Sequence, residues 1–515
     1  MQLAILHYHF DSGGVAQVVH NHLLAMAATE HSFLPERVLL VHGRSSTTLP
    51  LKEIASKVPF PVESVVMPEL DYDTDGTPVN SRLGTEIGAM LREHGCSAEE
   101  TLLHWHNHSL GKNVSVPLAV AELARSGYRT LLQIHDFAED FRPANYRRLV
   151  EALGDGAPEV LAERLYPQAP HIHYATLNSR DFKILRKLGV AEESLRLLPN
   201  PVNPPPVFPD EVEANRAVRS NLNLSEECRL AVYPVRGIRR KNLGEMLLWS
   251  TLLEDTWFYV TLAPQNPVEQ NSFEQWRRFA KEHKLNCLLG PPDGAAISFG
   301  QVLAASDVLI TTSVAEGFGM AFLEAWLTGN ALFGRPLAEI TADFSQLGLD
   351  LDGLYDFLQI PSEWVDEATT IQKIQRLVTK TYEACGRTSP GEELIRQAVQ
   401  RLLEPPTVDF ARLPTMLQRQ VISTVANSTQ RQWRLLELNP KLRLPDIRNR
   451  EKIRYNSGVV RREFSLAKLG ADLLSGYQKL MTCKPTERLS PPQQGDAVFA
   501  AFLSLDRLHP LRVEQ

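Results

Sequence analysis

Little in these 515 residues would serve a disulfide framework, a membrane or a polyanion. Cysteine is scarce: Cys96, Cys228, Cys287, Cys385 and Cys483 lie far apart, and none forms a C-x-x-C pair. An odd, scattered set in a long chain argues against a disulfide scaffold and for free thiols in a reducing compartment. No apolar run approaches the roughly eighteen residues that a spanning helix needs. The N-terminus, MQLAILHYHFDSGG, has no basic n-region and no small-residue cleavage site. It reads as a first strand and not as a secretory signal, so the expected location is the cytoplasm. Positive charge is not in excess: 54 Lys+Arg stand against 61 Asp+Glu, a net charge of -7. That balance excludes general nucleic-acid binding. No internal repeat, no low-complexity tract and no G-x-G-x-x-G dinucleotide fingerprint is present. At 43% hydrophobic and 22% charged residues, pervasive disorder is excluded as well.

What the chain does have is alternation. Strand-like runs at Gln2–Tyr8, Val38–Val41, Thr101–Trp105, Thr130–Ile134, His173–Leu177 and Leu195–Leu198 are interleaved with helical patterns such as 116–126 and 179–188. This order predicts a parallel, doubly wound sheet. A proline cluster follows (Pro199, Pro201, Pro204, Pro205, Pro206, Pro209). It cannot continue a helix or a central strand and reads as a linker. The alternation then restarts, with strands at Leu230–Val235, Phe258–Leu262, Cys287–Gly290, Val308–Thr312 and Ala331–Gly334. From about Phe344 the spacing turns helical, interrupted at Pro405-Pro406 and Pro491-Pro492. The expected α/β organisation is one domain over 1–205, a second over 206–345, and a helical extension over 346–515 whose final helices pack back on the core.

The most informative stretch is VLITTSVAEGFGMAFLEAWLTGNALFG, residues 308–334. A strand ends, a loop carries Glu316-Gly317-Phe318-Gly319, and a helix follows to about Thr328, with Gly329 as its C-cap. Two glycines ahead of a helix let backbone N–H groups approach an anion. Glu324 sits about five residues into that helix, roughly 7–8 Å along its axis. Carboxylates at two depths around an anion site suit a ligand with a diphosphate centre and hydroxyls on both sides, as in a nucleotide sugar.

The pattern E-G-F-G-x-x-x-x-E followed by A-W-x-x-G resembles the E-x7-E signature of retaining GT-B glycosyltransferases of the family 4 type. Further segments match in order: Asp11-Ser12-Gly13-Gly14, His104-Trp105-His106-Asn107-His108, Gln133-Ile134-His135-Asp136, Thr176-Leu177-Asn178-Ser179, Leu198-Pro199-Asn200-Pro201-Val202, and Arg236 to Lys241 as R-x4-K. The resemblance covers about residues 1–345 and implies the GT-B fold, two Rossmann-like domains facing across a cleft. It departs from the family at Val235, where glycine is usual, and at Leu332-Phe333-Gly334-Arg335-Pro336-Leu337.

By this resemblance the activity is transfer of a hexose, with retained configuration, from a UDP- or GDP-sugar to a hydroxyl of a small soluble acceptor. Catalytic roles fall to His135, Glu316, Arg236 and Lys241. Donor contacts fall to Gly13, Gly14, Arg236, Lys241, Glu316, Gly317, Phe318, Gly319 and Glu324. Arg236 and Lys241 would stabilise charge on the leaving phosphate, so no metal is required. Glu316 would hold sugar hydroxyls and Glu324 the ribose diol. Arg239 and Arg240 read as a solvated basic loop. His135 ends a strand where ligands collect in open α/β sheets.

His104, His106 and His108 alternate and so share one strand face. Three such histidines suit zinc, but no fourth ligand is evident, and the family match favours acceptor contact by His106 and His108 with Lys112 and Arg142. These cations point to an anionic acceptor. The letters HNH at 106–108 lack the ββα context of a nuclease. Asp71, Asp73, Asp75 and Gly76 imitate a calcium loop, but Arg82 stands where a bidentate Glu belongs. The competing readings are a GT-B nucleotide-sugar epimerase and a non-catalytic sugar-nucleotide-binding protein. No segment resembles the pyridoxal phosphate lysine site of a phosphorylase.

Overall fold

Short apolar runs become parallel strands in the computed structural model, which describes every residue except 12, 75, 156, 204–207, 293, 295, 404–405, 443–449 and 515. Ser12, Asp75, Pro204, Pro205, Pro206 and Pro405 of the sequence motifs therefore lie outside the described residues. The chain divides into two units. The first comprises Met1–Pro201, Tyr382–Arg387 and Arg462–Ser504; the second comprises Val202–Thr381, Thr388–Arg461 and Leu505–Gln515. The stretch 346–515 is thus shared out between both units.

The first unit is built on strands β1 (Gln2–Leu6), β2 (Arg37–His42), β3 (Val62–Val66), β4 (Thr101–His106), β5 (Arg129–Ile134), β6 (Ile172–Thr176) and β7 (Leu195–Leu197). They form one parallel sheet in the order β3-β2-β1-β4-β5-β6-β7. Alternate residues of β1 enter different cores: Leu3 and Ile5 on one face, Ala4 and Leu6 on the other. Both faces are therefore covered, as a parallel sheet requires. On the Leu3 face, the helix Leu466–Met481 lies against the helix Gly14–Ala27. The approach is close enough that a Cβ on Gly470 would stand 2.0 Å from the Ala25 carbonyl oxygen. Strand β3 carries no continuous apolar pattern; its Glu63 and Ser64 are exposed, as suits an edge strand, and sequence periodicity does not reveal it.

The second unit holds β8 (Arg229–Arg236), β9 (Thr256–Leu262), β10 (Cys287–Leu289), β11 (Val308–Thr311) and β12 (Leu332–Gly334), parallel in the order β10-β9-β8-β11-β12. A small antiparallel pair, β13 (Gln359–Pro361) with β14 (Thr407–Asp409), belongs to the same unit. Strand order reverses direction between β1 and β4 in the first sheet and between β8 and β11 in the second. In open α/β sheets the crevice beyond the strand C-termini at such a reversal is where ligands bind. Among the described residues no helix is long and apolar enough to cross a membrane.

Candidate functional site

The reversal point of the second sheet gathers most of the residues expected to hold a donor. β8 ends at Arg236, and the chain turns at Gly237, where a Cβ would meet the Phe273 ring at 2.4 Å. A short 3-10 turn over Arg239–Lys241 leads to Asn242, whose left-handed backbone (φ 50°) opens the helix Leu243–Ser250. The loop after β11 is stitched to this turn: Thr312 Oγ1 donates to the Lys241 carbonyl (2.8 Å), and the Val314 N–H donates to the Arg240 carbonyl (2.9 Å). Two loops from neighbouring strands are thereby held as one piece.

Glu316 is the centre of that piece. Its Oε1 accepts from the Lys241 ammonium and from Ser313 Oγ (2.7 Å), and its Oε2 accepts from Arg240 Nη1 (2.5 Å). Ser313 is in turn held by the Tyr233 hydroxyl at 2.6 Å. Burial opposes ionisation of Glu316, but Lys241, Arg240 and Ser313 outweigh it and hold the carboxyl down at about 2. Burial pushes the Lys241 ammonium below its ordinary range, while Glu316 pulls it back up. Two cations against one carboxylate leave net positive charge at the loop end, the sign a diphosphate needs.

Arg236 sits exposed at the end of β8 and has no side-chain hydrogen bond or ion pair among the described residues. The structure thus brings Lys241 and Glu316 into contact and leaves Arg236 as a separate cation. Arg239 and Arg240 correct the sequence reading of a solvated loop. Arg239 bonds Glu269 through its backbone N–H (2.8 Å) and its Nε (3.1 Å), and Arg240 grips both Glu316 and the Ala315 carbonyl (2.8 Å). Arg240 and Ser313 are the site residues that sequence missed. Arg240 occupies a position that the R-x4-K pattern leaves open, and Ser313 lies three residues before the E-x7-E pattern begins.

Phe318 is buried and packs edge-on against Phe344 at 5.5 Å, so its side chain belongs to the core. Gly319 has φ 89°, and a Cβ there would stand 3.0 Å from the Phe322 ring. Gly319→Ala should therefore lower unfolding free energy by about 1–3 kcal/mol. Urea titration measures it, and an unchanged midpoint would mean the loop tolerates a right-handed turn. The helix after it, Ala321–Leu327, is shorter than expected. Glu324 lies on that helix and lines a cavity of about 280 Å³ together with Asn203, Phe208, Pro234, Phe299 and Thr328. Its carboxyl is pushed up by the surrounding protein, opposed by Lys241. A larger cavity, about 920 Å³, between the helix Arg450–Glu463 and Trp326 contains none of the expected site residues.

The segment after β12 explains its departure from the family pattern. Arg335, 4% exposed, forms paired bonds to Glu245 (Nε to Oε1 3.1 Å, Nη2 to Oε2 2.8 Å) and to Asp409 (Nη2 to Oδ1 2.7 Å, Nη1 to Oδ2 3.0 Å). Glu245 also accepts from Asn242 Nδ2 (2.8 Å) and from the Tyr355 hydroxyl (2.5 Å). This buried network holds Asn242, and through it the turn carrying Lys241.

In the first unit, Gly13 is extended (φ 176°), and Gly14 begins the helix Gly14–Ala27 with nothing within 4 Å of a built Cβ. Both are exposed, so the protein's own packing does not demand glycine there. His135 is buried at the end of β5, and its Nε2 lies 2.8 Å from His106 Nδ1. Asn107 fixes that strand end. In a left-handed conformation (φ 57°), its Oδ1 accepts from the backbone N–H groups of His135 (2.8 Å) and Asp136 (3.2 Å).

The same left-handed residue breaks the expected alternation. His104 and His106 stay on one face of β4, but His108 turns away, and its ring bonds the Leu165 carbonyl at 2.8 Å. His108 is fully buried, and His106 is 1% exposed. Neither offers a surface to an acceptor, which corrects that part of the sequence reading. Lys112 is half-buried over the Tyr72 ring at 5.0 Å; burial, then Arg148 and Arg142, lower its pKa. Arg142 pairs with Asp136 at 2.6 Å. Of the calcium-like residues, Asp71 is taken by Arg44 (2.9 Å), and Asp73 accepts from the Val114 N–H (2.7 Å).

His7, His22, His104, His106, His108 and His135 are all buried, and burial lowers every one from 6.5, His7 and His104 to about 3, His135 and His108 to about 4. Stability from keeping them neutral is fully present above pH 6.5 and is lost as pH falls toward 4 and 3. Acid titration of chelator-treated protein, followed by circular dichroism, should show unfolding begin just below that upper value. Full stability down to pH 4 would refute neutral burial of these rings.

No protein-family model matches the chain. It is 27% identical over 446 residues to the mannosylglucosyl-3-phosphoglycerate synthase of Petrotoga mobilis, covering 81% of this chain and 80% of that protein. Among solved structures it is similar to Anabaena HepE in complex with UDP (TM-score 0.51, 12% identity, 93% of this chain and 100% of that one). It is similar also to sucrose-phosphate synthase from Thermosynechococcus elongatus (TM-score 0.51, 14% identity, 94% and 99% covered). The likeness identifies the fold as that of GT-B glycosyltransferases, with two parallel-sheet Rossmann-like domains.

Proposed function

We propose that this chain is a retaining glycosyltransferase that carries a hexosyl group from a nucleotide-diphosphate sugar to a hydroxyl of a small anionic acceptor. Its being a glycosyltransferase that uses a nucleotide sugar rests on the Petrotoga relative together with the fold. The relative's name describes a product that joins mannosyl and glucosyl groups to 3-phosphoglycerate. We take the same class here: GDP-mannose as donor, and as acceptor a glucoside of 3-phosphoglycerate, with a carboxylate and a phosphate.

One observation carries the reading within the structure: the Lys241–Glu316–Arg240 cluster at the reversal point of the second sheet. Departure of the nucleoside diphosphate puts negative charge on a phosphate oxygen. Lys241 and Arg236 stabilise that charge, a task that protein cations perform without a metal. Glu316 has lone pairs beyond the three bonds it accepts and offers them to the sugar hydroxyls. Glu324 holds the ribose diol at the edge of its cavity. Retention follows front-face attack, with the leaving phosphate taking the acceptor proton, while His135 contacts the sugar. Five unpaired cysteines agree with a cytoplasmic location.

Lys112, Arg142 and Arg148 are the cations grouped by their mutual electrostatics in the first unit, and we assign Lys112 and Arg142 to the acceptor's anionic end. Lys112→Ala should raise the acceptor KM about tenfold and leave kcat and donor KM nearly unchanged, the signature of lost ground-state binding. An unchanged acceptor KM would remove Lys112 from the site.

The deciding experiment incubates the protein with GDP-mannose or UDP-glucose, with and without the phosphoglycerate glucoside. Mass analysis reads the products, and NMR reads the anomeric configuration. Transfer that requires the acceptor supports the reading. Conversion of the donor alone would make the protein an epimerase, and tight nucleotide binding without turnover would make it a binding protein.

A further inference from the structure

We propose that His22, His104 and His106 form a buried site for one transition-metal ion of the zinc class. The alternating His104, His106 and His108 lacked a convincing ligand set, and the fold supplies a different one. His108 leaves the face, and His22 arrives from the helix Gly14–Ala27. One ring nitrogen from each of His22, His104 and His106 lies within 4.8 Å of the others. Ligand nitrogens around a tetrahedral zinc, at Zn–N of about 2.0–2.1 Å, stand roughly 3.4 Å apart. The rings must turn to close that difference, because His22 and His104 (centroids 5.5 Å apart) and His104 and His106 (4.4 Å) now stack face to face.

Two of the nitrogens are otherwise unexplained. His22 Nδ1 and His106 Nε2 are buried and have no hydrogen-bond partner among the described residues. Unpaired buried polar atoms are costly, and a bound ion is one of the few arrangements that satisfies them. The outer positions carry the partners that metal-binding imidazoles require. His106 Nδ1 lies 2.8 Å from His135 Nε2, and His104 Nδ1 lies 2.8 Å from the Tyr477 hydroxyl. His104 Nε2 is 2.9 Å from Gln133 Oε1, which only accepts, so that nitrogen carries a proton that an incoming ion displaces; Gln133 Nε2 has no partner among the described residues. Gln133 Oε1 or a water completes four-coordination.

The donor set decides the ion. Imidazole nitrogens select zinc, cobalt, nickel or copper, whereas magnesium and calcium require oxygen cages. The ion would tie the first helix to β4. It acts on stability, since the leaving phosphate is stabilised by residues of the second unit.

Cobalt(II) is the probe. Chelator-stripped full-length protein titrated with cobalt should develop the intense visible bands of four-coordinate cobalt, saturate at one equivalent, and bleach on adding zinc. Magnesium should do nothing. Zinc should raise the thermal midpoint progressively with concentration, as a ligand specific to the folded state must. His22→Leu should abolish the bands, whereas His20→Asn, on the same helix outside the cluster, should keep them. X-ray absorption of the zinc-loaded wild type should count three imidazoles, a readout that does not depend on how any variant folds. Absence of the bands in folded wild-type protein would overturn the proposal. So would bands unchanged in His22→Leu, or a shell with fewer than three imidazoles.

Discussion

The Lys241→Ala variant is expected to turn over roughly 100–1000-fold more slowly than the wild type at saturating donor and acceptor, the scale of losing one preorganised charge stabiliser. Lys241 is 9% exposed and its ammonium is fixed by Glu316 on a turn stitched to the next loop, so it needs no reorganisation when charge appears on the leaving phosphate. An interaction that strengthens as the bond breaks lowers kcat when lost, whereas an interaction equal in ground and transition states changes only KM. The fold should survive, because Glu316 retains Arg240 and Ser313. Arg236→Ala should also slow turnover strongly with no change in thermal midpoint, because the Arg236 side chain is exposed and bonds nothing among the described residues. Steady-state kinetics on both variants decides the matter. Near-normal kcat in both would mean that the phosphate lies elsewhere.

The second large effect is on stability. Arg335→Met should destabilise the second unit by about 3–5 kcal/mol, the cost of stripping one partner from a buried ionic network. Glu245 is fully buried and Asp409 nearly so, and without Arg335 the two carboxylates face each other with neutral donors on Glu245 and, as a cation, only the more distant Arg412 acting on Asp409. The pH dependence has a definite sign. Burial already pushes the Glu245 carboxyl above its ordinary 4.5 even with Arg335 present, and removing the cation raises it further. A group whose folded pKa is raised gives stability that is present below its unfolded pKa and is lost as pH rises through the folded value. The deficit of Arg335→Met should therefore shrink as pH falls toward 4.5 and widen above it. Adding Glu245→Gln and Asp409→Asn should recover much of the loss, because no charge then remains unpaired. Urea titration across pH measures both. A deficit independent of pH would point to packing and not charge as the cause.

Much of the architecture was legible because it depends on local pattern. Apolar runs bounded by turn residues marked all five strands of the second sheet and six of the seven in the first. The exception, β3, lies at an edge, where water replaces the packing that creates such a pattern. The β13–β14 pair was invisible for another reason: each strand centres on a single aliphatic residue, Ile360 or Val408, so no apolar run marks it. In the site, Lys241, Glu316, Gly319 and Glu324 were readable from fixed spacings in two loops and one helix. Arg240, Ser313 and Asn107 were not, because their roles depend on which carbonyl or carboxylate another loop brings near.

Sequence by itself determined the two runs of strand and helix, the proline-marked passage between them, and the chemistry crowded into residues 308–334, because periodicity and turn preference act over a few neighbouring residues. Tertiary structure alone decided which charges meet. It drew Arg335 between Glu245 and Asp409, turned His108 away from His104 and His106 at a single left-handed asparagine, and set His22 in its place. Those pairings join residues up to about ninety positions apart, and no local preference encodes such a separation. The Arg335 pairings form because a buried charge that lacks a partner costs more than the fold can spare.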